Sequence, residues 1–206
     1  MADSINVVIP VKGLLNGKSR LASVLTVDER TALNRRLMER TVQIAVMLPG
    51  TIYVYVVSPD NAVENIARSG GANFLIQTTD GLNTGLAQAA AQISNDRTVY
   101  LPADLPRLTG NDIHPHMVAD GIGISPDSRG QGTNVLSLPT PAAIPFQFGT
   151  DSFRLHCATA EKSGFCFQVI DRPGLAFDLD TEADLRRMEG WPQAFNPRNL
   201  SPGRRI

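Results

Sequence analysis

An aspartate held between two prolines is the residue of this sequence best suited to chemistry. Residues 98–108 read TVYLPADLPRL, where a short run of β-forming apolar residues stops abruptly and Asp104 follows between Pro102 and Pro106. In an open α/β sheet, ligands bind in the crevice outside the carboxyl ends of the strands. A rigid loop at that edge fixes a carboxylate in place, as a bound metal ion requires. We interpret Asp104 as a metal ligand in a nucleotide site; an ordinary turn-forming aspartate is the alternative.

A basic loop near the N-terminus offers a place for phosphate groups. Residues 10–21 read PVKGLLNGKSRL and directly follow an apolar run. Glycines let the backbone approach a phosphate, and cations attract it. The glycine spacing matches neither a Walker loop nor G-x-G-x-x-G, and a solvated basic loop is the alternative. The residues concerned are Lys12, Gly13, Gly17, Lys18 and Arg20.

A second acidic segment, FDLDT at residues 177–181, alternates Asp178 and Asp180 with apolar residues. On a strand these two side chains point to one face, so both can reach the same cation. Thr181 is also a natural N-cap for a following helix, which leaves a structural role for Asp180 open. Oxygen ligands from separate loops suit Mg²⁺, which takes one or two carboxylates plus substrate phosphates and water.

Glycine-containing loops supply further candidates. The segment at 80–86, DGLNTGL, puts Gly81 and Asn83 at a helix start, where they read a base edge or cap the helix. The segments at 129–134 (RGQGTN) and 148–153 (FGTDSF) combine glycine with hydroxyl groups. The second of these leads into a helix N-terminus, whose backbone amides favour an anion.

The three histidines fit no nucleophilic triad. His114 and His116, on either side of a proline in a helical segment, are interpreted as structural. His156 lies one turn into a predicted helix and either assists the anion site or simply packs.

Composition excludes several classes of protein. The chain has 206 residues, 42% of them hydrophobic, and a net charge of −1, which argues against binding nucleic acid by phosphate neutralisation. Cys157 and Cys166 form no disulfide framework or common zinc pattern. No apolar run approaches the roughly 20 residues of a membrane span, and the N-terminal segment lacks a signal-peptide pattern. We expect a cytoplasmic protein without nucleic-acid or membrane partners, with a homodimer as the commonest oligomer.

Strands alternate with helices along most of the chain, which predicts an α/β fold with a mostly parallel sheet covered by helices on both faces. A nucleotide-binding domain over residues 1–190 and a Pro-rich, basic, poorly ordered tail over 191–206 are expected. Predicted strands are Ile5–Ile9, Ile52–Val57, Asn73–Ile76, Thr98–Leu101, Ile122–Ile124, Val135–Leu138 and Phe165–Ile170. Predicted helices are Val27–Met47, Ala62–Ser69, Leu82–Ile93, Thr109–Ala119, Asp151–Lys162 and Thr181–Glu189.

Taken in order, these segments resemble the CofC/FbiD family, the guanylyltransferases of coenzyme F420 biosynthesis. The resemblance runs from about residue 5 to 189 and is carried by IPVKG, KSRL, GLN, LPADLPRL, GTN, FGxxSF and PGLAFDLDT. It implies a single-domain, Rossmann-like nucleotidyltransferase fold. It also implies Mg²⁺-dependent transfer of GMP from GTP to the phosphate of a three-carbon acid, with release of diphosphate. The acceptors it implies are 2-phospho-L-lactate, phosphoenolpyruvate or 3-phospho-D-glycerate.

The resemblance assigns roles to particular residues. Its metal-binding aspartates correspond to Asp104 and the DLD pair, Asp178 being the better match. Its acceptor-binding residues correspond to Thr133, Gly149 and Ser152. Family members often have a second glycine in the last segment, where this chain has Thr150-Asp151.

For the transfer we expect in-line attack by the acceptor's phosphate oxygen, without a general base, because a phosphate is already a competent nucleophile. Lys12, Lys18 and Arg20 would hold the β- and γ-phosphates. Gly81 and the side-chain amide of Asn83 would contact the nucleotide. Two rival functions are another nucleotidyltransferase of this fold, acting on a molybdopterin or a sugar phosphate, and a catalytically silent nucleotide-binding module. The short acceptor loops favour a small acceptor.

Overall fold

The computed structural model describes residues 4–15 and 17–188. Within them the strands are β1 (Ile5–Pro10), β2 (Ile52–Ser58), β3 (Asn73–Ile76), β4 (Arg97–Tyr100), β5 (Ile122–Pro126), β6 (Thr133–Leu138) and β7 (Phe167–Val169). The helices are α1 (Val27–Val46), α2 (Ala62–Ser69), α3 (Leu82–Ala90), α4 (Gly110–Met117), α5 (Ser152–Ser163), α6 (Pro173–Ala176) and α7 (Glu182–Arg187). A short 3₁₀ helix covers Ser19–Leu21.

The described strands form one sheet in the order β3-β2-β1-β4-β6-β5-β7. Strand β6 runs antiparallel to both of its neighbours, and the other pairs are parallel. The predicted α/β class with a mostly parallel sheet is therefore confirmed. The reversal of β6 matters for the site, because it brings the amino end of β6 to the edge where the carboxyl end of β4 lies.

Alternation along the strands divides the main core into two layers. Val7 and Ile9 of β1 pack with residues of α1, α2 and α4, whereas Val8 between them packs with α3 and α5. Strand β4 repeats the pattern, since Val99 belongs to the first layer and Tyr100 to the second. Helices consequently cover both faces, as period-two burial in a parallel sheet requires.

A third hydrophobic cluster lies outside the sheet. Leu21 and Leu25 follow the basic loop and pack against the first half of α1 and against Phe177 and Leu179 near the C-terminal end of the described chain. This cluster, which we call the corner cluster, joins the basic loop to the FDLD segment. Removal of its apolar surface from water is the main force that holds these two segments together.

Most predicted elements are confirmed, with shifts at their ends. The capping boxes at Thr26 and Thr181 are both formed, and α1 and α7 begin directly after them. Strand β6 starts at Thr133, two residues before the predicted start, and the predicted strand at 165–170 shrinks to β7. Helix α6 was not predicted. Glu189, the predicted end of the last helix, and the tail from residue 191 lie outside the described residues.

No described helix is long and apolar enough to cross a membrane.

His116 is a structural residue of the core, as predicted. Its Nε2 lies 2.7 Å from the Ser125 hydroxyl, which itself donates to the Ile170 carbonyl, and its Nδ1 lies 3.0 Å from the Ser137 hydroxyl. Because the Ser125 hydrogen is used on Ile170, Nε2 must carry the ring proton and donate it. Burial, with a smaller effect from the charge of Arg97, lowers the pKa of His116 to about 3.

This burial predicts a pH-dependent stability. The unfolded chain protonates His116 below a pH of about 6.5, whereas the folded protein does so only near pH 3, so stability falls as the pH drops through that window. One such proton contributes a slope approaching about 1.4 kcal/mol per pH unit. In urea unfolding, His116→Gln should remove about 2 kcal/mol of the change in the free energy of unfolding between pH 7 and pH 5. Equal slopes for the two proteins would contradict the assignment of a buried neutral imidazole.

Candidate active site

The sheet topology brings three chain segments to one edge. Strands β1 and β4 are parallel neighbours, and the Leu101 amide donates to the Val8 carbonyl over 2.9 Å, so the loops that follow both strands emerge side by side. Strand β6 pairs antiparallel with β4, and its first residue, Thr133, lies at the same edge. Asp104, the basic loop and the GTN segment therefore converge, as ligand sites in such sheets do.

A pocket of about 180 Å³ lies at this edge. The residues of its wall include two with a carboxylate, Asp104 and Asp178, and one with a hydroxyl group, Thr133. The wall also has an apolar part, to which the last residues of β1 and β4, helix α3 and the loop residues Pro102 and Phe148 contribute. The remaining lining residues are Pro10, Leu82, Leu86, Tyr100, Pro102, Asn134 and Phe148.

Lys18 joins the two acidic segments. Its side chain is only 6% exposed, and Nζ lies 2.7 Å from Asp104 Oδ2 and 2.9 Å from Asp180 Oδ1. Burial alone lowers the pKa of Lys18, but the two carboxylates outweigh it and raise the pKa above its ordinary value. The ammonium group is therefore charged, and two of the predicted metal-binding residues share its single positive charge.

The basic loop is held in shape by contacts on both sides. The Asp60 carboxylate accepts from the Leu14 amide over 3.2 Å, and the Asn34 amide group donates to the Leu14 carbonyl over 2.9 Å. Gly13 has a φ of +123°, a conformation that side chains rarely adopt. Lys18 itself has a φ of +56°, which is unusual for a residue other than glycine and is maintained here by its two ion pairs.

The FDLD segment is extended, although it is not a strand of the described sheet. Phe177 and Leu179 are buried in the corner cluster, so Asp178 and Asp180 point away from that cluster, as the predicted alternation requires. The Leu179 amide donates to the Asp104 carbonyl over 3.1 Å. This single backbone hydrogen bond aligns the second acidic segment with the first.

Asp178 has an unfavourable electrostatic environment for a carboxylate. Burial, followed by the charge of Asp104 and to a smaller extent that of Asp180, raises the pKa of Asp178 to about 6. Lys18 acts in the opposite direction but does not compensate. A negative charge at this position therefore lacks a sufficient counter-charge from the protein, which is the condition that a bound cation relieves.

The donor set fits Mg²⁺ better than a metal held entirely by protein. Asp104 and Asp178 present hard oxygen donors to the pocket. Among residues 4–15 and 17–188 no group of three or more His, Cys, Asp or Glu side chains is arranged to hold a metal. Mg²⁺ commonly takes only one or two carboxylates and completes its shell with phosphate oxygens and water. Asp180, by contrast, is engaged with Lys18 and lies 3.5 Å from Arg20 Nη1.

The remaining cations of the loop face solvent. Lys12 is exposed directly after β1, and the Arg20 side chain is 73% exposed beside Asp180. Lys18 is committed to its two carboxylates at 2.7 and 2.9 Å, whereas Arg20 has only a longer, exposed ion pair with Asp180 and Lys12 extends into solvent. The three predicted phosphate-binding residues thus differ in their availability.

The GLN segment starts α3 but contributes less to the pocket than expected. Gly81, with a φ of +91°, precedes the helix. The Asn83 side chain does not cap α3, because both of its polar atoms bond to the backbone of Phe148. Its oxygen accepts from the Phe148 amide over 2.9 Å, and its nitrogen donates to the Phe148 carbonyl over 3.0 Å. Asn83 therefore holds the backbone of Phe148, whose ring lines the pocket.

The predicted acceptor-binding residues are adjacent, but only one of them lines the pocket among the residues described. Ser152 is buried, and its hydroxyl oxygen accepts from the Thr133 amide over 2.8 Å. Gly149 has a φ of +130° in the turn before α5. Asp151 is exposed with a φ of +56°, a conformation that glycine adopts without strain and that other residues adopt at some cost in backbone energy.

His156 was left open between assisting and packing, and the structure places it directly behind the predicted acceptor residue. It is fully buried, and its Nδ1 lies 2.9 Å from the Thr133 hydroxyl oxygen. Asp60 and Asn34, which anchor the basic loop, were not identified from the sequence. No local pattern distinguishes such residues, because their partners are distant in the chain.

The chain matches one protein-family model, described as "Guanylyl transferase CofC like", over residues 5–189. It is 40% identical over 193 residues to the phosphoenolpyruvate guanylyltransferase of Rubrobacter xylanophilus, covering 90% of this chain and 94% of that protein. It is 34% identical over 193 residues to the protein of the same name from Chloroflexus aggregans, covering 89% and 96%.

Solved structures support the fold. A protein from Desulfovibrio desulfuricans described as a nucleotide-diphospho-sugar transferase superposes with a TM-score of 0.73 at 17% identity, covering 97% of this chain and 95% of that one. Glucosyl-3-phosphoglycerate synthase from Mycobacterium tuberculosis, solved with Mn²⁺ and uridine diphosphate, gives a TM-score of 0.60 at 13% identity, covering 91% and 75%. At these identities the likeness concerns the fold alone.

The ion pairs of Lys18 predict a measurable stability. Lys18→Met should lower the free energy of unfolding in metal-free buffer by about 1–3 kcal/mol, because it leaves two neighbouring carboxylates without their counter-ion. The value is below that of a fully buried pair because both carboxylates are about a third exposed and are screened by water. Urea unfolding measures it, with Lys162→Met on the exposed side of α5 as the control. Equal stability of the two variants would contradict this account.

Proposed function

The chain belongs to the CofC-like guanylyltransferase family, and from this premise we propose that it transfers GMP from GTP to phosphoenolpyruvate in coenzyme F420 biosynthesis. One observation carries the proposal: Asp104, Asp178 and Thr133, the residues that correspond to the family's metal and acceptor positions, line one pocket. They come from three separate segments, which only the folded chain brings together.

The acceptor's phosphate oxygen attacks the α-phosphorus of GTP in line, forming a new P–O bond. The bond from the α-phosphorus to the bridging oxygen breaks, and its electron pair leaves with diphosphate. A phosphate is nucleophilic at neutral pH, so the protein needs no general base and acts by positioning and by charge neutralisation. When bound, Mg²⁺ held by Asp104 and Asp178 would supply positive charge at the α-phosphate and between the two anionic substrates.

The cations of the basic loop take different parts in this reaction. Lys12 and Arg20 are exposed and bind the β- and γ-phosphates, where they stabilise the departing diphosphate. Lys18 orients Asp104 through its ion pair and keeps Asp180 beside the site. Asp180 thus acts through Lys18 in this proposal, and Asp178 is the second metal ligand.

Phosphoenolpyruvate is the acceptor that the observations favour. The relatives with high coverage carry that name. A pocket that selects 3-phospho-D-glycerate needs a polar partner for its free hydroxyl. Of three polar side chains near the site, His156 uses both ring nitrogens within the protein, Asn134 donates its amide nitrogen's hydrogen to the Leu175 carbonyl over 2.7 Å, and Asp151 is exposed. A cytoplasmic location and a homodimer stay predictions from the sequence.

Removal of the charge at Asp104 tests the metal site. Asp104→Asn should keep the fold and lower GTP-dependent diphosphate release by about a hundredfold or more, because a positioned charge contributes roughly 3 kcal/mol to transition-state stabilisation. Circular dichroism checks the fold, and a coupled diphosphate assay measures turnover. The matched control is Asp120→Asn, an exposed aspartate just before β5 at the opposite sheet edge, which should turn over like the wild type. Wild-type turnover by the Asp104 variant would remove this residue from the metal site.

A comparison of acceptors tests the reaction itself. With GTP and Mg²⁺, phosphoenolpyruvate should give a kcat/KM at least about tenfold above those of 2-phospho-L-lactate and 3-phospho-D-glycerate. Diphosphate release with each acid in turn measures this. A clear preference for another of the three would change the acceptor and keep guanylyl transfer. GTP binding without diphosphate release from any of them would favour the silent nucleotide-binding module.

A further inference from the structure

A buried histidine lies behind the pocket without lining it. His156 of α5 is fully buried, and both of its ring nitrogens are hydrogen-bonded. Nδ1 faces the Thr133 hydroxyl over 2.9 Å, and Nε2 accepts from the Gln147 amide over 3.1 Å. The ring edge also packs against Phe148, at a centroid distance of 5.0 Å.

These contacts determine the tautomer of the imidazole. A backbone N–H can only donate, so Nε2 must carry the lone pair that receives the Gln147 hydrogen. Burial lowers the pKa of His156 to about 4, so the ring is neutral near pH 7. In a neutral imidazole whose Nε2 accepts, the proton lies on Nδ1, and Nδ1 therefore donates to the Thr133 oxygen.

The direction of this hydrogen bond restricts the Thr133 hydroxyl. Its oxygen accepts from His156, so its own hydrogen must be donated elsewhere. Within the described part of the chain, no second partner of this oxygen is found, and Thr133 lines the pocket. The backbone of Thr133 is fixed independently, since its amide donates to Ser152. The hydroxyl hydrogen is thus available to an acceptor atom of a ligand.

We propose that His156 is a positioning residue that makes the Thr133 hydroxyl a hydrogen-bond donor for an anionic oxygen of the acceptor acid. The inference rests on the proposed function for the identity of the acid. It adds a residue that touches neither substrate: His156 acts through Thr133, and it supports the wall of the pocket through Phe148. The imidazole is itself held by the backbone amide of Gln147. The side chain of Gln147 in turn accepts from the Thr159 hydroxyl over 2.7 Å.

The arrangement suits an anion. A hydroxyl group that rotates freely both donates and accepts hydrogen bonds, so in water it binds a carboxylate or a cation equally well. With one of its two lone pairs occupied by the His156 N–H, the hydroxyl cannot donate toward His156 and offers its hydrogen toward the ligand. A carboxylate or phosphate oxygen, which only accepts, is the matching group.

The test uses His156→Phe, which keeps a ring of similar size beside Phe148 but has no N–H. Titration of phosphoenolpyruvate into the Mg²⁺-supplemented protein should show about tenfold weaker binding, the usual effect of losing one aligned hydrogen bond to a charged group. Thr133→Val should weaken binding to a similar extent, and the double variant His156→Phe with Thr133→Val should bind no worse than Thr133→Val alone. GTP affinity should stay within about twofold of the wild type.

The matched control is His116→Phe, which removes the other buried histidine from its own hydrogen bonds. It should lose stability yet bind the acid like the wild type. Additive effects in the double variant would overturn the inference, because a purely structural role of His156 would not depend on the Thr133 hydroxyl. Unchanged acid binding by His156→Phe, or no acid binding by the wild type, would overturn it as well.

A second measurement needs no substrate and no variant. Nitrogen chemical shifts of labelled histidine should identify the Nδ1-protonated tautomer at His156 in the free protein, and the Nε2-protonated form would overturn the inference. The diphosphate assay decides the proposed function separately. Suppose that the His156 tautomer, acid binding by the wild type and acid binding by the single and double variants are as stated, but no diphosphate is released. The proposed reaction then fails, and the role of His156 in acid binding stands.

Discussion

The ion pairs of the buried Lys18 ammonium are the constraint on which the site depends. A charge removed from water must be compensated, and here the compensation comes from Asp104, 86 residues away, and Asp180, 162 residues away. The corner cluster brings the same segments together through apolar burial, and the hydrogen bond from Leu179 to the Asp104 carbonyl fixes their register. Electrostatics, burial and backbone pairing therefore determine a single arrangement of the acidic residues.

This arrangement leaves the site short of positive charge. Lys18 is shared by Asp104 and Asp180, and Arg20 lies at the longer distance of 3.5 Å from Asp180. Among the residues that the structure describes, Asp178 forms no ion pair, and its pKa is raised to about 6. The protein thus neutralises enough charge to fold while keeping one carboxylate poorly compensated. In the proposed function, a divalent cation held by Asp104 and Asp178 would supply the missing positive charge.

Features that depend on local pattern were predictable from the sequence. The alternation in FDLD predicted that Asp178 and Asp180 lie on one side, and Thr181, predicted as an N-cap, directly precedes α7. Features that depend on distant partners were not. Lys18 has the same appearance in the sequence as the exposed Lys12, and nothing local indicates that Asn83 holds the Phe148 backbone. The resemblance named positions in the site, whereas only the folded chain shows which side chains are already engaged.

The acidic side of the pocket and the side of Thr133 differ in their chemistry, and this difference follows from the ion pairs of Lys18. On the acidic side, any further ammonium or guanidinium group would form ion pairs with the carboxylates, as Lys18 does. On the side of Thr133, the proposed recognition uses neutral groups: a hydroxyl oriented by an uncharged imidazole, and a backbone fixed by Ser152. A neutral donor is attracted to a carboxylate less strongly than an ammonium group is, so its hydrogen stays available to an anionic ligand. The proposed acceptor subsite can therefore share one pocket with Asp104 and Asp178.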